Sequence, residues 1–108
     1  MAADISIRGA NTADIEVLAE FNMAMALETE GKVLPADVIR AGVGALFENP
    51  QLGFYSMALV ADRPAAALMI TTEWSDWRNG LFWWIQSVYV KPDYRRAGVF
   101  RRLYQSIR

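Results

Sequence analysis

Histidine and cysteine are both absent from this chain of 108 residues. A Ser-His-Asp arrangement, a cysteine nucleophile, a disulfide framework and the usual zinc sites are therefore excluded within it, and no metal site is expected. Any proton transfer has to use a carboxylate, a tyrosine, an amine or a held water. Long apolar runs are missing too: the longest, Ala65 to Ile70, is far shorter than a bilayer requires. No basic-then-apolar leader is read at the start, so a cytoplasmic protein without membrane contact is the expectation. There is no internal repeat, low-complexity segment or linker. With 54% apolar and 21% charged residues the composition is that of a folded chain rather than a disordered one. The length allows one domain with a core, not two.

Acidic residues are scarce at one end only. Residues 91–108 contain six basic side chains and one acidic, a net of +5, whereas residues 1–90 contain five basic and eleven acidic, a net of −6. An acidic body attracts a cation and a basic end attracts a polyanion. Nucleic acid is not the expected partner, because the arginines crowd one turn and no helix-turn-helix or RNA-binding aromatic motif accompanies them.

Periodicity places the elements. Ile5-Ser6-Ile7-Arg8 alternates and predicts a short first strand. Asn11 or Thr12 can cap a helix that carries Asp14 and Glu16 in its first turn and sets Ile15, Leu18, Phe21 or Asn22, and Met25 towards a core. A second helix is predicted from Pro35-Ala36-Asp37 to just before Asn49-Pro50, carrying Val38, Leu46 and Phe47, with Gly42 and Gly44 weakening its interior. Three strands follow in Phe54–Val60, Ala65–Glu73 and Leu81–Val90, separated by turns at Asp62-Arg63-Pro64 and Asn79-Gly80. Trp83 and Trp84 are expected in the core. After a Pro92-Asp93-Tyr94 turn, a helix begins at Gly98 with Val99, Leu103 and Ile107 on one face. The order is β-α-α-β-β-β-α.

The last connection carries the chemical signal. A strand ending at Val90 leads through a basic loop with one glycine into a helix start, whose unpaired N–H groups suit an anion. The run Arg95-Arg96-Ala97-Gly98-Val99-Phe100 resembles the pyrophosphate loop of the GCN5-related N-acetyltransferases, Gln/Arg-x-x-Gly-x-Gly/Ala, with Phe100 in place of the final small residue. The element order resembles the first half of that family's fold. The resemblance implies an α/β (α+β) acyl-CoA N-acyltransferase fold, residues 1–108 forming a single incomplete domain that stops at Arg108 inside the third main helix.

It further implies transfer of acetyl from acetyl-CoA to a primary amine of a small molecule or peptide, by direct attack that needs no protein nucleophile. Backbone groups of Val88, Tyr89 and Val90 would bind the pantetheine arm and the thioester carbonyl. The loop from Arg95 through Arg101 would cradle the pyrophosphate, using the N–H groups of Arg96, Ala97, Gly98, Val99 and Phe100 and the guanidinium groups of Arg95, Arg96 and Arg101. Glu28 and Glu30, at the end of the first helix, fall where the family shapes its acceptor opening. Trp74, Asp76 and Trp77 share a hairpin that can grip a cation. Gln86 can orient an acceptor but not deprotonate it. The strand Phe82–Ser87 offers no carboxylate where many relatives carry a glutamate base, which leaves Glu73 or Glu28, through water, as the candidate catalytic bases.

Two other readings stand beside the enzyme: a non-catalytic coenzyme A-binding half-domain, and a fragment that dimerises without ligand. A homodimer is expected in either case, because the Leu81–Val90 edge and the face Val99, Leu103, Ile107 lack partners in the predicted element set.

Overall fold

A computed structural model describes residues 4–107; Arg108 lies outside the described residues. Its elements are β1 (Ile5–Gly9), α1 (Ile15–Glu30), α2 (Ala36–Glu48), β2 (Gly53–Val60), β3 (Arg63–Ser75), β4 (Gly80–Val90) and α3 (Val99–Ser106). The four strands form one antiparallel sheet in the order β1-β2-β3-β4, so β4 is an edge. Neighbouring strand residues point to opposite faces. Met57 and Ala67 therefore join Leu18, Phe21, Val43, Leu46, Tyr55 and Tyr89 beneath α1 and α2. Ala58 and Leu68 instead join Ile70, Val99 and Leu103 beneath α3. This is the expected mixed α/β architecture, and the structure places helices on both faces of the sheet.

The helix starts follow from capping chemistry. Asn11 caps a short 3-10 turn, Thr12–Asp14, which leads directly into α1; its side chain accepts from the Ala13 N–H at 2.9 Å. Asp14 completes the reciprocal box by accepting from the Asn11 N–H at 2.9 Å. At the other end of α1, Gly31 adopts the left-handed conformation at φ 65° and returns its N–H to the last carbonyls. In α2 it is Val43 and Leu46 that are buried, while Val38 faces outwards. Gly44 lies beside Ile15, where the two helices approach.

Both hairpin turns differ from expectation. The β2–β3 connection is the two-residue turn Ala61-Asp62, with both φ positive at 50° and 65°, and Arg63 and Pro64 already belong to β3. Pro64 is accommodated because the register shifts there: Ala58 pairs with Ala66 and Leu59 with Pro64, leaving Ala65 as an extra residue. A bulge is where a strand tolerates a residue without an N–H. Between β3 and β4, Ser75 pairs with Gly80, so the loop is four residues, Asp76–Asn79, closed by left-handed Asn79.

Trp83 and Trp84 are not core residues: they are 56% and 53% exposed. β2 pairs with β3 only as far as Thr71, so beyond it β3 and β4 run on as a two-stranded ribbon with no third strand beside them among the described residues. Trp83 keeps one aromatic neighbour, Phe54, edge-on at 5.4 Å. The expected free face of α3 is also corrected. Val99 and Leu103 are buried on the chain's own sheet. Of the two surfaces expected to await a partner, only the β4 edge is open among the described residues.

Arg8 clamps β1 to the start of α1. Its Nη1 and Nη2 donate to the two Asp14 carboxylate oxygens at 2.7 and 2.9 Å. The Arg8 hydrogen bond, the Asn11 N–H and the charge of Arg8 together hold the Asp14 carboxyl below its ordinary range, outweighing partial burial. A carboxylate lowered on folding stabilises the fold above its unfolded pKa, and that stability is lost as pH falls through the folded value. Asp14→Asn is therefore expected to cost about 1–2 kcal/mol at neutral pH, since Arg8 is partly solvated. It should also flatten the loss of stability below the ordinary carboxylate pKa of 3.8. Urea titrations at pH 7 and pH 3 check both; an equal loss at the two pH values would show that the ionised carboxylate is not what matters.

Candidate functional site

The open edge of β4 carries a local irregularity. Tyr89 pairs with Ala67 and Gln86 with Met69, so Ser87 and Val88 together stand opposite the single residue Leu68. Ser87 takes the left-handed conformation at φ 51° to make this bulge. Past it, the Lys91 N–H donates to the Ala65 carbonyl at 2.8 Å. Antiparallel alternation then turns the backbone of Tyr89 towards β3 and that of Val90 towards the open edge. Side chains alternate oppositely: Val88 and Val90 pack beneath α3, and Tyr89 beneath α1. The segment Val88–Val90 thus has one buried and two half-buried side chains, and Val90 turns its backbone to the edge.

Beyond Val90 the chain turns through Pro92–Tyr94 and reaches α3 by way of two left-handed residues, Arg96 at φ 73° and Gly98 at φ 79°. Left-handed residues in such a connection turn successive amides to one side, a concavity suited to an anion. Gly98 is the N-cap of α3 and no side chain caps it. Gly98, Val99, Phe100 and Arg101 hold the four amides that a helix start leaves without carbonyl partners. The Ala97 N–H is committed to the Tyr94 carbonyl at 3.3 Å. Phe100 turns its ring towards Tyr104, one turn on, with centroids 6.0 Å apart, so its bulk need not cover the amides.

Two open clefts meet on these elements. One, about 480 Å³, is lined by Met25, Glu28, Thr29, Val88 and Tyr89. The other, about 420 Å³, is lined by Tyr94, Arg96, Gly98, Val99 and Arg101. Val90, Arg95 and Phe100 border both, so the β4 edge, the loop and the end of α1 form one continuous groove. A larger recess of about 580 Å³, by Phe54, Trp83 and Ile107, lies elsewhere. Among the described residues its one ionisable lining group, Arg8, is already paired with Asp14.

Arg95, which lines both clefts, bonds its guanidinium to β4 and to the end of α1. Its Nε donates to the Val90 carbonyl at 2.8 Å, its Nη2 donates to Glu28 Oε1 at 2.8 Å, and its guanidinium lies 5.5 Å from the Tyr89 ring centre. The Arg95 hydrogen bond, then that of Tyr89, holds the Glu28 carboxyl below its usual range. Burial, and then the adjoining Glu28 carboxylate, pushes the Tyr89 hydroxyl up. Arg96 and Arg101 remain exposed at the rim of the groove.

The other candidates lie further off. Glu73 pairs with Phe82, five residues along β4 from Ser87, or roughly 16 Å at the strand rise. Trp74 pairs with Leu81 and points to the face opposite Glu73, while Trp77 is 96% exposed at the hairpin tip near Asp76. In the same hairpin Arg78 lies over the Phe82 ring, 4.7 Å from its centre. Gln86 donates to Thr71 Oγ1 at 2.6 Å, and Glu30 is exposed at the end of α1. Sequence reasoning missed Ser87, whose left-handed backbone has no signal in its residue type, and the wall residues Met25 and Thr29. Among the described residues no group of three acidic side chains is placed to hold a metal, and no helix is long and apolar enough to cross a membrane.

A family model described as the acetyltransferase (GNAT) family matches residues 18–108. No match was found among curated proteins. Among solved structures, a possible acetyltransferase from Clostridium difficile 630 is 50% identical, with a TM-score of 0.90 over 95% of this chain and 68% of that one. An integron cassette protein from the mobile metagenome of Cole Harbour Salt Marsh is 24% identical, with a TM-score of 0.88 over 94% of this chain and 66% of its own. A predicted acetyltransferase with acetyl-CoA from Clostridium acetobutylicum is 18% identical, with a TM-score of 0.76 over 95% of this chain and 70% of its own. The chain thus spans about two thirds of the length of each of these structures.

Proposed function

The chain belongs to the acetyltransferase (GNAT) family, and from that premise we propose that its groove takes acetyl-CoA for transfer of the acetyl group to a primary amine. The observation that carries this reading is the continuity of the bulged β4 edge with the uncapped start of α3. The arm of the coenzyme contains amides and can pair with the Val90 backbone as an added strand. Its pyrophosphate then reaches the amides of Gly98, Val99, Phe100 and Arg101, with Arg96 and Arg101 supplying charge at the rim. The order of chemical groups along the ligand matches the order of donors along the groove.

The reaction needs little else from the protein. The amine nitrogen attacks the thioester carbon, the carbonyl oxygen gains charge, and the tetrahedral species collapses with loss of the coenzyme thiolate. The backbone of Val88, at the bulge and in the wall of the groove, is the donor this reading assigns to that oxygen. The attacking nitrogen must shed a proton, and water in the open groove accepts it. Glu73 is too remote to take part directly.

Two measurements test the reading. Coenzyme A at about 100 times its Kd should stabilise the fold by about 2.7 kcal/mol, a rise in melting temperature on the order of 10 °C. Acetyl-CoA turnover across a panel of amines separates an enzyme from a binding module. Glu73→Gln should leave that turnover unchanged. A melting temperature indifferent to the coenzyme would overturn the assignment of the groove.

A further inference from the structure

We infer that Glu28 is a positioning residue of the coenzyme groove, fixing the pyrophosphate loop through Arg95 rather than taking a proton from the acceptor. The inference rests on the reading of the groove as a coenzyme site and assigns a role within it.

Glu28 is electrostatically misplaced for the helix that carries it. It lies in the last turn of α1, whose carbonyl end is the negative pole, and no basic residue stands in that turn. A carboxylate there is unfavourable unless another element compensates it. The compensation comes from Arg95, 67 residues later, at 2.8 Å. The helix end that holds Glu28 is itself fixed, since Gly31 closes it with a left-handed cap.

Arg95 in turn is held at three points by one planar group: the Glu28 carboxylate, the Val90 carbonyl and the face of Tyr89. A guanidinium presents donors in a rigid fork, so two directed bonds and a cation-π approach to Tyr89 restrict its orientation. Two consequences follow for the groove. The Val90 carbonyl on the open edge is occupied, which leaves the Val90 N–H as that residue's edge donor. The loop also begins from an anchored residue, with left-handed Arg96 next in the chain. Ordering the loop before the ligand arrives lowers the entropic cost of binding. Arg95 is thereby withdrawn from direct phosphate contact, and Arg96 and Arg101 keep that role.

The same contacts make Glu28 a poor proton acceptor. Its carboxylate is already donated to by Arg95 and adjoined by the Tyr89 hydroxyl, and its carboxyl titrates below the ordinary range. A base for an ammonium group needs the opposite shift.

The test is a double-mutant cycle on coenzyme A affinity, measured by calorimetry with the parent, Glu28→Gln, Arg95→Gln and the double variant, each also melted without ligand. Each single change is expected to weaken binding by about threefold to fivefold, as loss of a partly exposed ion pair would. The double variant should be no weaker than the weaker single, because the two residues act as one unit. For acetyl-CoA turnover, Glu28→Gln should raise KM with kcat and its pH profile unchanged. Unchanged affinity in Glu28→Gln, or strictly multiplicative losses in the double variant, overturns the positioning role. A fall in kcat with a displaced pH profile at constant KM overturns it in favour of a catalytic base. A parent that does not bind coenzyme A overturns the groove assignment itself, and the positioning role with it.

Discussion

Gly98→Glu is expected to weaken coenzyme A binding by more than tenfold, at least about 1.4 kcal/mol, in calorimetry against the parent. Gly98 sits at φ 79° and ψ 9° as the N-cap of α3, and nothing lies within 4 Å of where its Cβ would be. The empty space is the groove itself, so a side chain there enters the volume proposed for the pyrophosphate. A glutamate adds a negative charge at the end of the helix that favours one, beside the free amides. It can cap those amides internally and so displace the ligand, as well as repel it. Gly98→Ala separates the causes: left-handed backbone costs an L-residue about 1–2 kcal/mol of fold stability, yet a methyl group brings no charge. Calorimetry should therefore find Gly98→Ala close to the parent in affinity though less stable. Equal affinity for Gly98→Glu and the parent would remove the pyrophosphate from this turn.

Features that depend on neighbours in the chain were legible in the sequence. The seven elements and their order, the strand-to-helix connection at Val90–Val99 and the basic loop follow from periodicity, turn residues and one glycine. Features that depend on distant contacts were not. Ala61 carries a left-handed φ that its residue type disfavours, and Asp62-Arg63-Pro64 reads as a turn only because proline is unusual inside a sheet. The bulge that admits Pro64 arises from pairing with β2, which local pattern does not contain. Ser87 is a similar case: its conformation is imposed by two residues of β4 sharing Leu68. Glu28 and Arg95 are separated by 67 residues, so their pairing belongs to the tertiary fold alone. Trp83 and Trp84 look like core because they are large and lie in a strand. Burial, however, depends on whether a third strand or a helix covers that strand, and beyond Thr71 neither β2 nor a sheet partner does.

Leu103→Asp is expected to abolish cooperative folding, whereas the same change at Trp83 should leave a folded chain. Leu103 has 0% exposure and packs among Ala58, Ala65, Ala66, Leu68, Ile70 and Val99. Removing its side chain forfeits about 2–5 kcal/mol of transfer and packing energy. The aspartate adds a charge with no partner in an apolar layer, a further penalty of several kcal/mol unless the group takes a proton. Together these rival the roughly 5–15 kcal/mol that holds a domain of this size. Trp83 is more than half exposed and contacts Phe54 through one ring edge, so an aspartate there remains in water and loses little beyond that contact. Thermal melts followed by circular dichroism distinguish the two. A cooperative transition for Leu103→Asp near the parent temperature would mean that α3 does not seal this face of the sheet. The amides at its N-terminus would then lose the support that holds them in the groove.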